Sequence, residues 1–68
     1  MNLGKRLREL RLKRGYSSAE KFSYEFGINR VQYGRYESGA NITFATLLLI
    51  LSALEISVKE FFSSGFES

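Results

Sequence analysis

Arg30, Gln32 and Arg35 carry side chains that can read the edge of a base pair. A guanidinium grips guanine N7 and O6, an amide pairs with adenine, and the methyl groups of Val31 suit thymine. Their spacing is as informative as their chemistry. At about 100° per residue, Val31, Gly34, Arg35 and Ser38 fall on one side of a helix, with Arg30 and Gln32 on its flanks. Tyr33, Tyr36 and Glu37 fall on the other side and are expected to face a core. Gly34 has no side chain to keep a groove wall away. A glycine in mid-helix costs about 1 kcal/mol relative to alanine, so close approach of a partner is the compensation to look for. Each residue alone fits an ordinary solvated helix; the set on one face implies contact with double-stranded DNA.

The rest of the composition narrows the alternatives. The 68 residues support one domain, with a core expected over about 3–62. There is no Cys, His or Asp, which removes disulfides, the usual metal ligands and the common acid–base and nucleophilic groups. No phosphate-binding loop or nucleotide fingerprint is present. No enzyme, cofactor, metal or small-molecule ligand is implied. The N-terminus lacks the apolar stretch of a secretory signal, and the longest apolar run, Leu47–Leu51, is far shorter than a membrane span. A soluble, cytoplasmic, nucleoid-associated protein is the expectation. Net charge is +3, unevenly spread: residues 1–36 hold nine Lys/Arg against three Glu, residues 37–68 one Lys against four Glu. A basic half fits a polyanionic partner, and equally fits one well-solvated basic helix.

Four further elements must position that face. Gly15, Gly27 and Gly39 each follow a segment with helical patterning, as expected of glycines that close helices in the left-handed conformation. A first helix over Leu3–Arg14 buries Leu3, Leu7 and Leu10. Ser17-Ser-Ala-Glu20 reads as a capping box opening a second helix, in which Phe22 and Phe26 face inward. Gly27-Ile28 makes the turn, and Asn29 caps a third helix, Arg30–Ser38. After a connector, Thr43 caps Phe44–Leu54, apolar almost all round and expected to be buried centrally. Ser57-Val-Lys-Glu60 opens a short fifth helix through Phe62, and the tail Ser63–Ser68 is expected to fray. Two helices joined by a short turn make a helix-turn-helix, whose second helix enters the major groove.

Three stretches carry a family resemblance: Arg11-Leu-Lys-Arg-Gly-Tyr-Ser, Gly27-Ile-Asn-Arg-Val-Gln-Tyr-Gly-Arg-Tyr-Glu-Ser-Gly39, and Thr46-Leu-Leu with Leu54-Glu-Ile-Ser-Val-Lys-Glu-Phe61. Over residues 4–62 the chain resembles the Cro and lambda-repressor-like (XRE-family) helix-turn-helix domains. The resemblance implies an all-α, five-helix domain, with the helix-turn-helix formed by helices 2 and 3. It implies a transcriptional regulator of bacterial or phage type that binds a pseudo-palindromic operator as a dimer or as paired domains, with a homodimer as the expected partner state. Arg30, Val31, Gln32 and Arg35 would read bases; Ser18, Ala19, Ser38 and Asn41 would hold phosphates; Arg11 and Glu37 would form a structural ion pair.

The chain departs from the family pattern in three places. Ala19 stands where the family usually has Gln, and the segment between Gly15 and Gly27 is one residue longer than the common pattern. Tyr33 and Tyr36 replace smaller aliphatics, and the hydroxyl of Tyr33 is expected at a phosphate. Phe61, Phe62 and Phe66 form an aromatic end that either closes the core or pairs two copies, with Leu49 and Ile50 as secondary candidates for pairing. From another functional class, a protein-interaction module such as an antitoxin would use the same acidic, Phe-rich half to bind a partner protein.

Overall fold

Positive backbone φ at Gly15, Gly27 and Gly39 (93°, 67° and 107°) breaks the chain where the glycine spacing predicts. The computed structural model describes residues 3–63. Its five helices are α1 (Leu3–Lys13), α2 (Ala19–Glu25), α3 (Arg30–Glu37), α4 (Phe44–Leu54) and α5 (Val58–Ser63). The all-α, five-helix architecture is the one the sequence implies.

The caps explain most boundaries. Asn29 Oδ1 accepts from Gln32 N at 2.9 Å, and Thr43 Oγ1 accepts from Thr46 N at 3.2 Å. At α5 the box closes in both directions: Ser57 Oγ accepts from Glu60 N at 3.1 Å, and Glu60 Oε1 accepts from Ser57 N at 3.4 Å. Each bond satisfies a backbone donor that the first helical turn leaves without a partner.

At α2 the expected box does not form. Ser18 is the cap, accepting from Lys21 N at 3.2 Å. Tyr16 accounts for the shift. Its N–H donates to Arg11 O at 3.1 Å, its carbonyl accepts from Arg11 Nη1 at 2.6 Å, and its ring meets Phe22 edge-on, centroids 5.2 Å apart. With Tyr16 fastened to the end of α1, Ser17 is spent bridging to the helix.

The core takes Leu7 and Leu10 from α1, Phe22 from α2 and Tyr33 and Tyr36 from α3. Leu47, Ile50, Leu51 and Leu54 come from α4, and Phe61 from α5. α3 packs against both α1 and α2. A Cβ on Gly4 would lie 2.4 Å from Tyr36 O and 2.5 Å from Glu37 O, so α1 crosses the end of α3 at a distance only glycine permits.

The outer side of α4 corrects the sequence expectation. Phe44, Leu48 and Leu49 are exposed, as is Phe62, while Phe26 is only partly covered. α4 is apolar on both sides, but only one side meets the core, and no described element lies over the other.

Candidate nucleic-acid interface

The face of α3 that meets the core is anchored twice. Tyr33 and Tyr36 are buried, and Glu37 is held by Arg11 from α1, with Nε–Oε2 2.8 Å and Nη2–Oε1 3.2 Å. This two-pronged pair is nearly closed to water, its side chains 5% and 11% exposed. The Glu37 hydrogen bond is the main reason the Arg11 pKa rises still further, against the opposing effect of burial, so the guanidinium stays charged. Arg11 Nη1 also donates to Tyr16 O, linking α1, α3 and the segment before α2.

Tyr33 lies too deep for the phosphate contact expected of it. It is fully buried, and its hydroxyl sits beside the Arg11–Glu37 pair without closing a hydrogen bond of good geometry among the described residues. Burial is the chief cause that pushes its phenol far above the usual value, with the neighbouring Glu37 carboxylate adding to it and Arg11 opposing. The residue supports the helix from inside.

With that face fixed, the opposite one projects outward. Arg30, Val31, Gln32, Arg35 and Ser38 are all exposed, and nothing lies within 4 Å of a Cβ built on Gly34. Fold packing therefore gives no reason for glycine there, in contrast to Gly4. Arg35 makes no ion pair or hydrogen bond through its guanidinium among the described residues. Arg30 does: its Nη1 donates to Glu20 Oε1 at 3.0 Å, tying the start of α3 to the start of α2.

The residues implied as phosphate contacts divide. Ser38 and Asn41 are exposed beyond the end of α3. Ser18 and Ala19 are half-buried at the start of α2; the Ser18 hydroxyl already serves as the cap, and Ala19 packs against the core. Among the aromatic candidates for pairing, Phe61 is fully buried, so it closes the core, and Ile50 is buried likewise. Phe62 stacks edge-on against Phe61, centroids 4.9 Å apart, and remains partly exposed. Phe66 lies outside the described residues.

Part of the charge asymmetry is internal. Arg11 pairs with Glu37, Arg14 with Glu55, and Arg6 donates to the carbonyls of Phe61 and Glu60 at the end of α5 (3.3 and 3.4 Å). The basic first helix is thus bound to the acidic half of its own chain. Sequence reasoning missed the Glu20–Arg30 link because Glu20 was expected to reach back to its own cap. The available signal was an acidic side chain at the entrance of a helix otherwise expected to face phosphates.

Among the described residues no cluster of acidic side chains could hold a metal ion, and no helix is long and apolar enough to cross a membrane. Residues 7–61 match the helix-turn-helix family. The fold is similar to that of the restriction-modification controller protein C.AhdI from Aeromonas hydrophila, with a TM-score of 0.77 and 36% identity over 88% of this chain and 91% of that one. No curated protein sequence shows a recognisable match. The chain belongs to the helix-turn-helix family, in the Cro-like (XRE) branch that its motifs indicate. It is a sequence-specific DNA-binding transcriptional regulator that acts by binding and not by catalysis.

Proposed function

We propose that α3 enters the major groove of an operator with Arg30, Val31, Gln32 and Arg35 toward the bases, and that two copies bind together. The observation that carries this reading is the division of α3. Tyr33, Tyr36 and Glu37 lock one face to the core, and the other exposes four base-compatible side chains beside an unobstructed Gly34. Ser38 and Asn41 flank this face and suit phosphate oxygens. At the half-buried start of α2, Ser18 and Ala19 offer backbone N–H groups to the same strand.

A second copy is supported by the outer side of α4. Residues 38–54 contain no charged side chain, and Phe44, Leu48 and Leu49 stand exposed within them. An uncharged apolar helix face suits association with its own copy about a two-fold axis, the symmetry that a pseudo-palindromic operator mirrors. The resemblance to a restriction-modification controller protein supports a gene-control role of that kind.

Selection of bound sequences from a random duplex pool tests the reading, since paired half-sites would report both the bases read and the dimer. On the selected operator, Arg35→Ala should cost roughly 1–3 kcal/mol and relax preference at one position per half-site. Binding to mixed-sequence DNA should weaken with salt, log K falling by about 0.9 per phosphate neutralised. No binding at low salt, or no enriched sequence, overturns the proposal.

A further inference from the structure

Glu20 is an unexpected residue to find beside a DNA-facing helix. A carboxylate at the start of α2 repels the phosphates that α2 would approach, and the other carboxylate of α2, Glu25 at its far end, accepts from the Tyr16 hydroxyl at 2.8 Å. Glu20 itself reaches across the turn to Arg30, its Oε1 3.0 Å from Nη1. Both side chains are about two-thirds exposed, at 68% and 65%. An ion pair this open adds little to folding stability, so stability does not account for it.

We propose that Glu20 is a positioning residue for base recognition: it holds the Arg30 guanidinium over the base edges and away from the phosphate backbone. This rests on the DNA reading above and deepens it. Arg30 is the first residue of α3, on a long flexible side chain and close to where phosphates would run. Left free, such a guanidinium settles on a phosphate, which adds affinity and carries no sequence information. A bond from Nη1 to Glu20 leaves the N–H groups of Nη2 and Nε available for the paired acceptors of guanine. The same carboxylate makes the nearest phosphate a poorer alternative. Arg35, with no such partner among the described residues, lacks this restraint. Glu20 therefore trades total affinity for discrimination, and its removal should move the two in opposite directions.

The test compares the full chain with Glu20→Gln on the selected operator, on operators changed at single base pairs, and on mixed-sequence duplex. Neutralising the carboxylate should tighten mixed-sequence binding several-fold at low salt. At the one half-site position that Arg30 reads, preference should fall from the roughly 5- to 150-fold of a bidentate contact toward unity, with other positions unchanged. The melting temperature should not move. In an Arg30→Ala background, Glu20→Gln should no longer alter base preference. If Glu20→Gln keeps the full preference at that position, or weakens binding to all sequences equally, the positioning role is wrong while the DNA reading stands. If the unaltered chain binds no DNA, the DNA reading falls and this inference falls with it.

Discussion

The molecule contains two Arg–Glu pairs on α3 with the same chemistry and opposite surroundings. Arg11–Glu37 is closed to water on both sides, with side chains 5% and 11% exposed, and makes two short contacts. Arg30–Glu20 makes one contact with its side chains 65% and 68% exposed. The first cannot be opened without stranding a charge in the interior. The second can open to water at small cost, and while closed it leaves further N–H groups of Arg30 exposed. Burial thus decides which pair joins helices together and which stays available to a ligand.

The largest effect should come from breaking that contrast. Glu37→Ala leaves Arg11 buried without its counter-charge and should destabilise the fold by about 3–5 kcal/mol. Glu20→Ala should change stability by less than about 1 kcal/mol. Denaturant unfolding of the two variants side by side is the measurement; similar losses would mean that burial does not separate the pairs.

The two helical glycines sharpen the same division. Gly4→Ala drives a methyl into the carbonyls of Tyr36 and Glu37 and should cost about 1–3 kcal/mol or more. Gly34→Ala meets nothing and should stabilise the free protein by about 1 kcal/mol, while weakening binding to the selected operator. A thermal melt paired with a binding titration checks both. A Gly34→Ala variant that gained stability and kept full affinity would remove the reason given for that glycine.

The smallest effect is at Tyr33. Its buried hydroxyl lies beside Glu37 and Arg11 but closes no hydrogen bond of good geometry among the described residues, so Tyr33→Phe should change stability by no more than about 1 kcal/mol at neutral pH. The pH dependence has a definite sign. An unfolded tyrosine ionises near pH 10, whereas the folded phenol is held neutral well beyond that, chiefly by burial. The stability tied to the neutral phenol is complete below about pH 10. It falls with further rise in pH, by about 1.4 kcal/mol per unit, until the folded group also ionises. The stability gap between Tyr33→Phe and the unaltered chain should widen above pH 10; a constant gap would show that the hydroxyl is solvated in the folded state.

Much of the scaffold was legible because local chemistry and helical period agree. Asn29, Thr43 and Ser57 each cap the helix that their position announces. The glycine spacing marks three helix ends, and the alternation along α3 separates its core face from its exposed face. The legible part ends where a choice depends on what lies on the far side of an element. Ser17 and Ser18 are equivalent as caps until Tyr16 is fastened to Arg11. Phe61 and Phe62 are adjacent aromatics, and only the packing under α5 buries one and leaves the other at the surface.

By itself the sequence determined the all-α class, the helix-turn-helix over residues 17–38 to within one residue at its start, and the side chains offered by the outer face of α3. Those features rest on period, capping and turn chemistry, which act within a few residues. Tertiary structure alone decided that Tyr33 is internal, that the basic first helix binds its own acidic half, that α4 keeps an apolar side uncovered, and that Glu20 faces Arg30. Each depends on groups brought together from distant parts of the chain, where burial and proximity set whether a charge, a hydroxyl or a ring is structural or free to meet a partner.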